Sequence, residues 1–435
     1  MYRLIQQEVD RIKKDIINYR RDFHRYPETG WTEMRTASLI ASRLRNLGYE
    51  VLVGRDVMKS EDRMGLLDQE VLDKHYSRAK EQGADPLYLE KVKDGFTGVV
   101  GVLNCGDGPV VGIRFDIDAL EVNESHDADH MPSREGFRSL NEGVMHACGH
   151  DGHGAMGLGL ADIFMEMKES FNGTIKLIFQ PAEEGVRGAK SMANSGILDD
   201  VEYILSGHIG MIENGSGKIY CSIGEFMATS KLDAYFLGTA THAGGSPEKG
   251  KNALLAATTA VSNLNSIPRH SKGQTRINVG KLIAGSGRNV IPSNAMMMIE
   301  TRGSTSELNN YMKDHTIRIL KNSAEMYDLK LEIMEMGGAQ SAQSDGLLID
   351  MIKRIGCNID NINEVVDKSV DFGGSEDFSY MMNKVQNQGG KAIYFIIGSD
   401  IKADHHNDKF DFIEEDLISG VKLYSLLVYE LLKKH

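Results

Sequence analysis

His146-Ala147-Cys148-Gly149-His150-Asp151-Gly152-His153 places three imidazoles, a thiol and a carboxylate within eight residues, in a chain of 435 residues that holds only 14 histidines and 4 cysteines. Thiolate and neutral imidazole are the donors a borderline-soft divalent metal prefers. Cys148 and His150 stand one residue apart, so both reach one centre only where the backbone bends, and Gly149 gives the chain that freedom. A reduced cysteine beside ordinary histidines at a helix start is the plainer alternative. Asp151 and His153, crowding the same turn, weigh against it and favour a metal site.

Working outward, Met156–Met167 carries helical spacing, and the apolar run Val110–Phe115 reads as a strand leading into Arg114-Phe115-Asp116-Ile117-Asp118. Gly173–Phe179 is a second apolar strand, ending in Gln180-Pro181-Ala182-Glu183-Glu184, and Val201–Leu205 a third, leading to Ser206-Gly207-His208. Paired glutamates are commonly a wet surface, but these follow a buried-looking strand and the proline that stops it. An open α/β sheet displays its functional groups at the carboxyl ends of its strands. Three strand ends therefore offer ligand-type side chains to one sheet edge.

Farther out, residues 2–22 read as one amphipathic helix, followed by a turn holding the only tryptophan, Trp31, and a helix over Glu33–Leu47. Strands are expected at Tyr49–Val53 and Gly98–Leu103, and the charged stretch 55–95 between them reads as a solvated helical insertion with little core material. From Met227 the pattern becomes strand, helix, two strands, helix, strand (Ser230–Leu237, Asn252–Ile267, Gln274–Leu282, Asn294–Thr301, Glu307–Tyr327, Leu329–Met336), the ferredoxin-like split arrangement. It predicts an inserted domain over 227–336 within a larger α/β domain formed by 1–226 and 337–435. The second part carries the helix Asp345–Ile355, the strand Lys391–Ile397, Asp404-His405-His406-Asn407 and a closing helix, Glu414–Lys434.

Two domains are also what the length leads one to expect. A net charge of −13 argues against a general nucleic-acid or anionic-membrane surface, without forbidding an anionic small molecule held by local arginines. Cys105, Cys148, Cys221 and Cys357 are too scattered for a disulfide framework and read as reduced, in a cytoplasmic protein. The first residues lack the apolar core of a signal peptide, and no apolar run approaches a membrane span. Gly285-Ser286-Gly287 lacks the Lys-Ser/Thr that a phosphate loop needs.

Taken in order, His24-Arg25-Tyr26-Pro27-Glu28, Arg114 to Leu120, Met145 to His153, Phe179 to Glu184, Gly207-His208, Thr241-His242-Ala243, Asn289-Val290-Ile291-Pro292, Gly374 to Phe378 and His406 to Phe410 make the chain resemble the M20 metallopeptidases, in the amidohydrolase branch that cleaves N-acyl amino acids. Arg63 to Leu66, Gly285 to Asn289 and Glu300 to Gly303 are similar to members acting on aromatic N-acyl glutamates and aspartates. The resemblance implies a zinc-peptidase-like α/β catalytic domain with a mixed central sheet flanked by helices, plus an inserted ferredoxin-like α+β lid and dimerisation domain. It implies Cys148, His150, Glu184, His208 and His406 as ligands of two divalent ions, manganese or zinc, and Glu183 as the catalytic base. His405 competes with His406, and the family spacing of four residues before an aromatic, here Phe410, favours His406. It further implies that His242 donates to the oxyanion in a neighbouring subunit's site, that Asn289 and Arg302 hold the substrate's α-carboxylate, and that Asp116 orients a ligand without being one. Glu376 and Asp377 read as structural or as supports for the ligands. A homodimer through the inserted domain is the expected assembly; the alternative is a hetero-oligomer containing a related subunit. A non-catalytic partner subunit is disfavoured, because Glu183 and the five proposed ligands are all retained.

Overall fold

A computed structural model describes residues 1–211, 214–224, 226–367 and 374–434. Its strands are β1 (Glu50–Val53), β2 (Val99–Asn104), β3 (Val110–Asp116), β4 (Thr174–Gln180), β5 (Tyr203–Ile209), β6 (Lys218–Tyr220), β7 (Ala228–Leu237), β8 (Thr275–Ala284), β9 (Asn294–Gly303), β10 (Lys330–Ala339), β11 (Glu364–Val366) and β12 (Lys391–Ile397). Eight of them form a mixed sheet in the order β1-β2-β4-β3-β5-β12-β6-β11. Its middle, β4-β3-β5-β12, is parallel. These strands are nearly continuous apolar runs because helices cover both faces. β12, for instance, is buried from Ala392 to Ile397.

One covering helix, His150–Glu166, is buried on almost every side. It lies close to the sheet because Gly157 has no side chain: a Cβ there would stand 2.5 Å from the Phe179 ring and 2.8 Å from that of Phe115. The sequence suggests a start at Met156. Glycines at 152, 154, 157 and 159 dilute the helical signal, but packing against Phe23, Ile16 and Phe412 selects helix throughout.

The remaining strands, β7 to β10, form an antiparallel sheet in the order β10-β7-β9-β8, the 4-1-3-2 order of a split βαβ pair. Helices Ala253–Leu264 and Ser306–Met326 pack on it around a separate core that includes Leu232, Phe236, Met297 and Leu320. Asn252 and Thr305 start these helices by accepting the backbone N–H groups of Leu255 (3.1 Å) and Leu308 (3.3 Å).

Two expectations are corrected. The first helix is two, Tyr2–Arg11 and Lys13–Arg25, broken at Ile12. The 55–95 stretch holds short helices, Gln69–Glu81 and Pro86–Leu89, but is not peripheral: Val57, Met58, Leu72, Tyr88, Leu89 and Val92 enter the main core. Met64 accepts the Trp31 indole N–H at 2.9 Å. Within Gln69–Glu81 the apolar residues form one thin stripe (Leu72, Tyr76, Ala79) that the charged majority disguises.

A buried ionic network ties the N-terminal helices to the His146–His153 stretch. Arg20 meets Asp151 (2.8 Å), Asp411 (2.7 Å) and Glu414 (3.1 Å). His24 lies 2.8 Å from Asp151 through Nδ1 and 2.8 Å from Glu124 through Nε2. Burial alone would lower the proton affinity of His24, but hydrogen bonds to the two carboxylates outweigh it and raise its pKa from 6.5 to about 9. A raised folded-state pKa stabilises fully below the unfolded value and loses that effect as pH climbs through the folded one. Denaturant unfolding should therefore show stability falling by a few kcal/mol between pH 6.5 and 9, and His24→Gln should flatten that decline. An unchanged slope in the variant would assign the decline to other groups.

Candidate metal centre and active site

Because β4, β3, β5 and β12 run the same way, their carboxyl ends share one edge. β3 ends in Asp116, with Asp118 two residues on; β4 ends in Gln180, just before Glu183 and Glu184; His208 lies near the end of β5. The Cys148–His150 bend closes against this edge. Gly149 has φ +91°, and a Cβ on it would stand 2.8 Å from Ile209 Cγ2. The last donor arrives from far along the chain, where the His406 N–H donates to the Ala147 carbonyl (2.8 Å). His406 itself has φ +67°, a strained conformation for a side-chain-bearing residue.

Three overlapping groups of donor atoms lie here, each with members within 4.8 Å of one another: Cys148, His150 and His208; Cys148, Glu184 and His406; His150, Glu183 and Glu184. They link all five expected ligands and Glu183. Cys148 Sγ is 3.4 Å from His208 Nε2, and His406 Nε2 is 3.6 Å from Glu184 Oε1. The rings are held by their other nitrogens. His208 Nδ1 donates to the Ile209 carbonyl (2.7 Å), and His150 Nδ1 to that of Asp118 (3.0 Å). His150 Nε2 and Glu184 Oε1 are buried with no hydrogen-bond partner among the described residues. Unpaired N and O atoms beside a thiol form a donor set that fits a divalent transition-metal ion. Cys148, Glu183, Glu184, His208 and His406 line a cavity of about 370 Å³ that also admits Lys231 and Glu376.

The electrostatics point the same way. Burial, then repulsion from Glu184, raises the Cys148 thiol well above its ordinary value. Burial also raises Glu184 to about 7, against the pull of His150. Glu183 is raised by burial and then by Glu376, Glu184 and Asp377. Acids crowded without a counter-charge hold their protons, and a cation among them reverses that preference.

The turn carrying the glutamates is strained on both sides. Ala182 has φ +52° and the β-branched Val186 φ +59°. It is closed by the Arg187 N–H donating to the Ala182 carbonyl (3.0 Å). Asp118 clamps the pair by accepting the N–H groups of Glu183 (3.1 Å) and Glu184 (2.9 Å). No task for Asp118 follows from the sequence, although its place directly after a strand end is the signal that marks it. Asp116, expected to orient a ligand, lies 3.8 Å from His150 Nε2 and makes its closer contacts elsewhere, to His153 Nδ1 (2.5 Å) and Arg114 (2.7 Å). His153 in turn accepts the Ile209 N–H at 3.0 Å. His146 is buried, with neither ring nitrogen partnered among the described residues, and burial lowers its pKa to about 4. The three imidazoles of the central stretch thus have three different environments.

His405 also lines the cavity, packed between His208 and Phe410 at ring distances of 5.3 and 4.6 Å. His406 is the one that joins Cys148 and Glu184. Asp377 ties the site together by accepting from Gly188 (3.0 Å), Ala189 (2.9 Å) and Gln180 (2.9 Å). His242, Asn289 and Arg302 are not among the residues lining this cavity. His242 is exposed and bridged to Val290, and Ala243 donates to the Asn289 carbonyl (3.0 Å). Arg302 pairs with Glu300 at 3.0 and 3.1 Å.

Residues 112–430 match the model of peptidase family M20/M25/M40. The chain is 43% identical over 419 residues to a subunit of the p-aminobenzoyl-glutamate hydrolase of Escherichia coli K12, covering 96% of each protein. It is also 43% identical over 424 residues to indole-3-acetyl-aspartic acid hydrolase of Enterobacter agglomerans, covering 97% of each. Among solved structures, the aminobenzoyl-glutamate utilization protein of Klebsiella pneumoniae superposes with a TM-score of 0.84 at 36% identity, over 98% of both chains. With donor groups at the carboxyl edge of the sheet and a match along nearly its whole length, the chain belongs to peptidase family M20/M25/M40 and is a hydrolase of amide bonds.

Proposed function

We propose that this hydrolase cleaves N-acyl amino acids, with p-aminobenzoyl-glutamate, giving p-aminobenzoate and glutamate, as its leading substrate, in the cytoplasm. The observation that carries the reading is the joining of Cys148, His150, Glu184, His208, His406 and Glu183 through overlapping donor groups, all of them but His150 lining one cavity. Identity to the aminobenzoyl-glutamate hydrolase supports the acyl group, and equal identity to the indole-acetyl-aspartate hydrolase makes that conjugate the second candidate.

The five donors would hold two divalent ions, zinc or manganese, with Cys148 leaning toward zinc. When bound, such a pair supplies an acidified water and positive charge for the developing carbonyl oxyanion. Glu183 is the proton carrier: its neighbour Glu184 is a donor, while its own carboxylate accepts no hydrogen bond from the described residues and faces the cavity. It takes the proton from water and delivers it to the departing nitrogen. Asp118 holds both glutamates in position through their backbones. A panel of N-acyl glutamates and aspartates, assayed after chelation and re-addition of zinc or manganese, tests the proposal. Aminobenzoyl-glutamate should be cleaved only with metal restored, and turnover that survives complete chelation would refute it.

His242 is read as the oxyanion group completing the site of a neighbouring subunit, in a dimer formed through the inserted unit of 227–336, and Asn289 and Arg302 as the pair that holds the substrate's α-carboxylate. The lack of His242 and Asn289 from the cavity lining of one chain motivates this reading. A related second protein in place of the identical copy is the alternative, since the Escherichia coli relative is itself named as one subunit of its hydrolase. Inactive Glu183→Gln and His242→Ala proteins should recover activity when mixed, because a mixed dimer contains one intact site. Mixed dimers that form and remain inactive would overturn the arrangement.

A further inference from the structure

Lys231 is the one cation lining the cavity among the described residues, and neither the ligand set nor the proton carrier accounts for it. It lies on β7, where Leu232, Ala234 and Phe236 point into the helix-covered core. Alternation along the strand turns Lys231 to the opposite face of the four-stranded sheet, opposite Glu300 on β9. Glu300 does not neutralise it. That carboxylate is held by Arg302 through two hydrogen bonds, and Lys231 has no ion pair within 4.0 Å among the described residues. Arg187 and Arg302 add like charge nearby, and burial lowers the proton affinity of the amine, with Glu300 and Glu183 only partly restoring it. A half-buried ammonium left in this condition is poorly solvated and attracts an anion.

We infer that Lys231 recognises the side-chain carboxylate of the substrate's amino-acid half, making the site selective for conjugates of acidic amino acids over neutral ones. This rests on the N-acyl amino acid reading of the site. With the scissile amide at the donor groups, the acidic side chain of a glutamate conjugate extends a few bonds away, into a cavity whose other acid-base groups are mostly carboxylates and metal donors. Lys231 is the lining residue that brings a fixed positive charge to that second carboxylate. A flexible amine also suits both a glutamate and an aspartate side chain, whereas a rigid guanidinium fork would fix one geometry.

The test compares N-acyl-glutamate with N-acyl-glutamine bearing the same acyl group, on metal-loaded enzyme. Wild type should prefer the glutamate substrate. Lys231→Met should lower its kcat/KM roughly 10- to 100-fold, chiefly through KM, while sparing the glutamine substrate, and Lys231→Arg should keep part of the preference. Equal losses on both substrates, or no loss on either, would overturn the inference, because an α-carboxylate contact or an effect through Glu183 does not distinguish the two. Calorimetric binding of free glutamate and free glutamine gives a readout independent of turnover. Glutamate should bind more tightly to wild type, and the difference should vanish in Lys231→Met; persistence of the difference also overturns the assignment. A wild type that cleaves neither conjugate yet keeps this lysine-dependent binding difference would reject the hydrolytic reading and leave carboxylate recognition standing.

Discussion

Glu183→Gln should leave metal binding intact and reduce turnover by a factor of roughly 10² to 10⁴, the usual contribution of a positioned acid-base group. The amide has the size and shape of the carboxylate but cannot accept the proton. The donor set loses nothing, because Cys148, His150, Glu184, His208 and His406 are untouched and Asp118 still grips the backbone of the pair. Glu183 lines the cavity and lies within 4.8 Å of the His150 and Glu184 donor atoms, the position a proton carrier needs. Metal content and kcat measured on one preparation decide the matter. A variant with bound metal and a rate within a few-fold of wild type would remove Glu183 from the reaction.

Arg114→Met should destabilise the fold by about 3–5 kcal/mol, the range for breaking a buried ion pair on one side. Arg114 is 1% exposed and donates to Asp116 (2.7 Å), Glu376 (3.0 Å), Asp377 (3.2 Å) and the Gln180 side chain (2.8 Å). Methionine fills much of the volume and leaves the carboxylates without their counter-charge. Burial already raises Asp377 to about 8, with Arg114 the main opposing influence, so removing Arg114 raises it further. A carboxyl raised above its unfolded value stabilises only while protonated, so its contribution is lost as pH rises through the folded value. The deficit of Arg114→Met should therefore widen toward alkaline pH and narrow toward acid. Arg114→Lys should recover only part of the loss, since one ammonium cannot reproduce the planar fork. Urea titrations across pH would contradict this if Arg114→Met lost less than about 1 kcal/mol throughout.

Arg114 also illustrates the limits of local sequence. Its position at a strand end is legible, but its three carboxylate partners span residues 116 to 377, and no pattern in a short window reports such a meeting. The 55–95 stretch misleads for a related reason. Composition registers its charge, while a few apolar residues scattered through it, from Val57 to Val92, supply its packing. In the helix beginning at His150, contacts with the sheet outweigh the weak propensity of its glycines.

The sequence alone determined the chemistry on offer and the broad frame that presents it. Thiol, imidazole and carboxylate groups placed after apolar runs, and an alternation that changes character near residue 227, depend only on residue type and backbone period. Only the tertiary structure decided which way each group faces. It joined His150 to Cys148, His208 and the glutamate pair, turned His153 toward Asp116 and left His146 in a buried niche. It gave the clamp on the glutamate pair to Asp118, and it set Lys231 opposite a glutamate already occupied by Arg302. Those outcomes depend on the sign of φ at a few residues and on neighbours hundreds of positions away, which appear only once the chain has closed on itself.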